Sequence, residues 1–289
     1  MNSDQSAQIT FRCSSLGDLM SSGRGASKED KIAKKKADIA DQLGKISKDV
    51  EAGKTHLKTS QARIEKLAIL KAELHELESK AEELDDILGE TAKSACRNIV
   101  LKNIYGGLEE VESDATRHGN QFEPLAIMQY GELIGANRAG EHLQFRKNLE
   151  RRTLNLGTEL NPYYLSGEPD VVFDNIIWDI KCPFSISNFE QQTRQPVLDY
   201  ILQVHGYMLL FNLEKAIILT CLFRNKNIKI DTIFDNTPRA LRYHAYEIDR
   251  DEDLIDAIKC RLELCAQYAQ KVQKEYSQQK GFSLYKKFR

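Results

Sequence analysis

Between Gly167 and Phe184 the chain reads GEPDVVFDNIIWDIKCPF, placing Asp170 after a proline and Asp179-Ile180-Lys181 shortly beyond it. Asp174-Asn175 lies between two alternating apolar runs, and both residue types tolerate positive φ, so a two-residue hairpin turn is predicted there. The register then pairs Phe173 with Ile176, Val172 with Ile177, Val171 with Trp178 and Asp170 with Asp179. Side-chain alternation puts Val171, Phe173, Ile176, Trp178 and Ile180 on a buried face. Asp170, Asp179 and Lys181 fall on the other, with Glu168 nearby. Facing carboxylates with β-carbons about 5 Å apart repel, and a divalent cation removes the conflict. Hard oxygen ligands suit Mg²⁺ or Mn²⁺, and the Ile180 carbonyl is a further candidate ligand. The Lys181 ammonium could orient an attacking water or offset charge on a pentavalent phosphate. These residues are equipped for metal-assisted phosphodiester hydrolysis. The plainer alternative is an amphipathic hairpin with a charged outer face, because Asp-x-Lys by itself is common.

Several elements must position this chemistry. Upstream, a helix is expected over Gln121 to Leu133; it carries Glu123, which at capping-box spacing from Asn120 could finish the start of that helix. Strands are expected within Phe145 to Leu156, over Asp170 to Phe173 and over Ile176 to Lys181. An apolar helix from Pro196 to Phe211 carries Gln203 and Tyr207 one turn apart on a shared face, although an interior Gln bonded to backbone reads equally well. A strand over Ala216 to Phe223 and a helix from Glu252 to Gln279 complete a mixed α/β section.

Two further sections precede it. Residues 1 to 27 are polar around the semi-apolar ITFRCSSLGDLM, where Arg12, Ser14 and Ser15 by themselves read as a simple turn. Lys28 to Lys93 contains no Pro and no aromatic residue and is rich in Lys, Glu, Ala and Leu, the composition of long helices. Leu67, Leu70, Leu74, Leu77, Ala81, Leu84 and Leu88 make a heptad seam, and Ile39, Leu43, Ile46 and Val50 a shorter one. Gly53 divides them, so a helical hairpin or coiled-coil arm is expected over residues 28–95, with residues 96–289 as the core. Gly53-Lys54-Thr55 is not a phosphate-binding loop, since Lys48 stands where that loop needs glycine.

Composition narrows the classes. The chain has 289 residues and a net charge of −2, with a pI near 6.3. No overall basic field favours nucleic acid, so any such contact needs a local groove; Arg138, Arg146, Lys147, Arg151, Arg152 and Arg194 are candidates. Six scattered cysteines form no CxxC pair, so neither a zinc knuckle nor a disulfide framework is suggested, and the spacing of an iron–sulfur cluster is lacking. There is no secretory leader pattern and no membrane span, so a cytoplasmic protein is expected.

On these motifs the sequence resembles the PD-(D/E)xK nuclease superfamily and, within it, the lambda exonuclease-like, YqaJ-type viral recombinase group. The resemblance rests on Gly119 to Glu123 as a Gly-x-x-x-Glu segment, Pro169-Asp170, Asp179-Ile180-Lys181 followed by Cys182-Pro183, Gln203-x-x-x-Tyr207, and the Arg12 to Ser15 segment. It covers about residues 9 to 22 and 96 to 225 and leaves the arm unexplained. It implies a restriction-endonuclease-like core, a mixed central sheet flanked by helices, with the arm as an insertion. It further implies a 5′ to 3′ exonuclease on linear duplex DNA ends, with Glu123, Asp170, Asp179 and Ile180 around the metal and Lys181, Gln203 and Tyr207 in the catalytic set. Arg12, Ser14 and Ser15 would bind the terminal phosphate. Relatives imply a single-strand annealing recombinase as partner and a trimer as assembly. The rival readings are an endonuclease of the same superfamily and an inactive nuclease-like scaffold built around the arm.

Overall fold

A computed structural model of the chain describes residues 8–21, 28–53, 58–79, 87–106, 113–136, 144–223 and 237–287. Of the residues singled out above, Lys54, Thr55, Ala81, Leu84 and Arg138 lie outside them. The chain divides into two compact units, one formed by Met1–Met20 with Ala92–Arg289 and the other by Ser21–Thr91.

The smaller unit is a helical hairpin. α2 (Lys28–Glu51) and α3 (Lys58–Ser79) pack on each other, and Gly53 takes φ +64° at the end of α2, where glycine adopts that conformation without steric cost. The helices run antiparallel, because Lys35 pairs with Glu73 at one end while Asp49 accepts from Ser60 Oγ at 2.8 Å and from Arg63 at 2.6 Å at the other. Leu67, Leu70 and Leu74 face inward as expected. The seam through α2 differs: Leu43 and Val50 are 46% and 57% exposed, whereas Gln42 is 7% exposed. Lys35, Gln42 and Asp49 stand at heptad spacing, and the ion pairs at both ends turn that stripe, with Ile39 and Ile46 beside it, toward α3.

In the larger unit, β1 (Ile9–Arg12) leads through a short turn into α1 (Leu16–Met20). α4 (Glu90–Tyr105) and α5 (Asp114–Leu133) follow. β2 (Arg152–Asn155) and β3 (Tyr163–Gly167) join β1 in a three-stranded sheet of order β1-β3-β2, with β1 parallel and β2 antiparallel to β3. β4 (Val171–Phe173) and β5 (Ile176–Lys181) form the hairpin, and its register matches the sequence expectation at Val171–Trp178, Val172–Ile177 and Phe173–Ile176. Asp174 and Asn175 both have positive φ, 52° and 58°, as a tight hairpin with the native twist requires.

After β5 come α6 (Ile186–Arg194) and α7 (Leu198–Phe211), which cross over to β6 (Lys215–Cys221), parallel to β5. β7 (Tyr243–Asp249) closes a four-stranded sheet of order β4-β5-β6-β7, and α8 (Glu252–Lys287) is the last described element. One face of this sheet buries Val171, Trp178, Ile180, Ile217 and Leu219 against Ala126 and Ile127 of α5 and against Phe145. The other face packs on α7, which in turn packs on α8. Burying each such large aliphatic chain contributes about 1.5–3 kcal/mol, so β5 is held from both sides.

α5 begins earlier than expected. Ser113 is its cap, accepting from the Thr116 amide at 3.1 Å, so Asn120 and Glu123 lie inside the helix and their capping-box spacing is coincidental. Pro124 also lies inside it and removes the donor that would serve the Asn120 carbonyl.

Candidate active site

Because β5 is central, its alternation delivers Asp179 and Lys181 to the α7 side while Trp178 and Ile180 go to the apolar core. Asp179 is 1% exposed. Its Oδ2 lies 2.8 Å from Lys181 Nζ, a charge contact rather than a well-directed hydrogen bond, and its Oδ1 accepts no hydrogen bond among the described residues.

Asp170 reaches the site by a different route from the expected one. The β4–β5 ladder stops at Val171–Trp178, so Asp170 is not the ladder partner of Asp179. Its carbonyl instead accepts from the Asn148 amide at 2.8 Å. That bond frees the side chain to swing over β5, where Oδ2 accepts from the Ile180 amide at 2.6 Å. Ile180 thus enters the site through its N–H.

Burial, followed by the neighbouring charges of Asp179 and Glu123, pushes the Asp170 carboxyl up to about 8. Burial likewise raises Asp179, against the pull of Lys181. Two buried carboxylates this close do not both ionise without a compensating cation. Burial opposes the Lys181 charge, yet Asp179 and Asp170 hold its pKa above the ordinary lysine value.

α7 fixes the lysine from above. Lys181 Nζ donates to Gln203 Oε1 at 3.2 Å, and Gln203 Nε2 donates to Tyr207 Oη at 2.8 Å. The amide is therefore oriented at both ends, with its acceptor on the ammonium. The Tyr200 ring lies 4.6 Å from Nζ, adding a cation–π contact. Tyr200 was missed in the sequence, although its spacing from Gln203 and Tyr207 puts all three on one helical face.

Glu123 is in electrostatic reach of both aspartates, and its Oε1 holds Lys147 Nζ at 2.7 Å. Glu168 pairs with Arg151 at 3.1 Å. Of the other groove candidates, Arg146 is exposed, Arg152 stacks on the Phe211 ring, and Arg194 pairs with Glu190.

The N-terminal segment is locked against α7. Cys13 and Leu16 fill the space over Gly206, and Cys13 and Tyr207 the space over Gly167: a β-carbon on Gly167 would lie 2.7 Å from Cys13 Sγ and 2.8 Å from Tyr207 Cε1. Arg12 is exposed at the end of β1, and Ser15 Oγ donates to its carbonyl at 2.8 Å. Ser14 is exposed. Arg12, Ser14 and Ser15 thus flank the cysteine that touches Tyr207's helix.

Among the described residues, no three Asp, Glu, His or Cys side chains form a closed metal cage. Mg²⁺ does not need one, since it is commonly held by one or two carboxylates together with waters and substrate phosphate. The undonated Asp179 Oδ1 and the crowded Asp170–Asp179 pair fit such an ion.

Residues 70–213 match the YqaJ-like viral recombinase domain family. The solved structure of a phage related exonuclease from Haemophilus somnus 129PT superimposes with a TM-score of 0.57 at 23% identity, covering 93% of this chain and 97% of that one. An alkaline exonuclease from Laribacter hongkongensis aligns with a TM-score of 0.49 at 20% identity, over 68% and 88% of the two chains. No curated protein matches. The first likeness shows the fold: a mixed α/β core with helix-flanked sheets, as the sequence leads one to expect.

Proposed function

We infer, for a chain that carries a YqaJ-like viral recombinase domain, a metal-dependent exonuclease that hydrolyses phosphodiester bonds at linear duplex DNA ends during phage or prophage recombination. The observation that carries this reading is the buried Asp170–Asp179 pair with Lys181 against it, in the order Pro-Asp…Asp-x-Lys. Asp170 and Asp179 would hold Mg²⁺ or Mn²⁺, with Glu123 and the Ile180 carbonyl completing its surroundings. Such an ion supplies Lewis-acid polarisation of the phosphate and a lowered pKa for bound water.

The chain's own residues do the rest. Lys181, pinned by Asp179 and Gln203, presents its remaining N–H to the attacking water and offsets charge as it builds on the phosphoryl oxygens. Gln203 is kept from rotating by Tyr207, so the ammonium pays little reorganisation on reaching the transition state. Tyr200 covers the ammonium and restricts its access to bulk water. Arg12, Ser14 and Ser15 would bind the terminal 5′-phosphate through charge-assisted hydrogen bonds, which gives the 5′ to 3′ direction. The helical hairpin would serve as the docking surface for an annealing recombinase.

The test uses linear duplexes labelled at the 5′ or the 3′ end, with and without a 5′-phosphate, alongside a closed circle. Label release from 5′-phosphorylated ends alone is expected. Cutting of the circle would move the protein to the endonuclease reading, and release from 3′ ends first would reverse the polarity.

A further inference from the structure

Lys147, the partner of Glu123, has no place in the chemistry just described. Lys147 lies in the stretch 144–151 ahead of β2, and its neighbour Asn148 donates its amide to the Asp170 carbonyl. Backbone and side chain of this short stretch therefore touch both acidic elements of the site. Lys147 Nζ sits 2.7 Å from Glu123 Oε1, with the lysine side chain half-exposed and the glutamate 19% exposed.

Charge balance gives the pair a meaning. Three carboxylates, Glu123, Asp170 and Asp179, face two ammonium groups, Lys147 and Lys181, while Glu168 is matched by Arg151. A divalent cation added to this set leaves an excess of positive charge unless one ammonium departs. Lys181 cannot go easily, being bound to Asp179 and Gln203 and covered by Tyr200. Lys147 is bonded to Glu123 and has one flank in solvent.

We propose that Lys147 is a displaceable counter-ion: it neutralises Glu123 in the metal-free site and, when a divalent cation takes that carboxylate, passes to a backbone phosphate of the DNA. This rests on the nuclease reading above. Metal and DNA binding would then be coupled through one side chain, each favouring the other.

The test compares wild type, Lys147→Met and Lys147→Arg. Mn²⁺ binding without DNA is measured by titration calorimetry, and binding to a linear duplex is measured across salt concentrations with and without Ca²⁺. Removing the competing ammonium should tighten Mn²⁺ by about fivefold, the upper range for loss of a half-exposed ion pair. Lys147→Arg should stay near wild type. With Ca²⁺ present, the slope of log affinity against log salt should be shallower by about 0.9 in Lys147→Met, one phosphate contact fewer, and without Ca²⁺ the slopes should coincide. Unchanged or weaker Mn²⁺ binding in Lys147→Met, or equal salt slopes in Ca²⁺, would overturn the proposal while leaving the nuclease reading intact. Failure of wild type to bind Mn²⁺ at all would remove both.

Discussion

Replacing Gly206 by alanine tests whether the N-terminal segment is locked onto the helix that carries Gln203 and Tyr207. A β-carbon there would lie 2.8 Å from Leu16 Cδ1 and 2.9 Å from Cys13 Sγ. Both neighbours are fully buried, so neither can move into solvent to relieve the contact. Overpacking of this kind costs about 1–3 kcal/mol, and the better helix propensity of alanine returns about 1 kcal/mol. The net loss of about 0–2 kcal/mol lowers the thermal midpoint by up to about 8 °C and leaves the variant about 1–3 kcal/mol below the unopposed propensity gain. Gly44→Ala in α2 is the control, because no atom lies within 4 Å of its β-carbon and the propensity gain should appear unopposed. Removing the sulfur in Cys13→Ala/Gly206→Ala should recover about 1 kcal/mol relative to the sum of the single changes. The readout is thermal unfolding followed by circular dichroism. If Gly206→Ala proves as stable as Gly44→Ala, or if the two changes at 13 and 206 simply add, the segment is not seated as described.

Three further outcomes follow from the site. Mg²⁺ at about 100 times its Kd should stabilise wild type by about 2.7 kcal/mol, and Asp179→Asn should abolish that gain, as read by the shift in thermal midpoint. Tyr200→Leu should lower kcat at constant KM by about threefold, the loss of a cation–π contact worth about 0.5–1 kcal/mol, while Tyr200→Phe keeps the ring and the rate. His118 is packed between Phe122 and Phe184, its Nε2 without a hydrogen-bond partner among the described residues, and burial lowers its pKa below the ordinary 6.5. As pH falls through 6.5, the unfolded chain takes up a proton that the folded protein refuses, so stability drops on the acid side. Denaturant midpoints of His118→Phe between pH 7.5 and 5.5 should lose that component of the slope.

The hairpin was legible because two independent signals agreed. Asp174-Asn175 could supply two positive φ angles, and apolar alternation on both arms fixed a register in which a slip would expose Trp178 and Ile180. The order of elements from β4 to β6 followed from it, apart from α6, whose short amphipathic run shows no buried residue. β1 and β3 were missed because each is short, and their pairing with one another spans a long stretch of chain, a tertiary event that local pattern does not encode. β7 was missed because it is an edge strand with little buried surface.

At the site, Asp179, Lys181, Gln203 and Tyr207 share the faces that helix and strand periodicity gave them. Asp170 did not behave as a ladder residue, since the Asn148 amide takes its carbonyl and the strand starts one residue late, at Val171. Lys147 could be read only as a loose surface charge, because nothing in an irregular segment links it to Glu123 until the chain folds. The α2 seam was misread because Lys35 and Asp49 carry charge yet face inward to partners on α3.

The central claim, that the Asp170–Asp179–Lys181 cluster hydrolyses DNA, is tested most directly by release of acid-soluble nucleotides from linear duplex DNA by wild type and Lys181→Ala with Mg²⁺. Thermal midpoints are measured alongside to verify folding. The account predicts steady release by wild type and a loss of at least about 10²-fold in the variant, the scale of removing a charge-stabilising donor, with the fold retained. Equal release by a folded Lys181→Ala, or none by wild type with either Mg²⁺ or Mn²⁺, would contradict it.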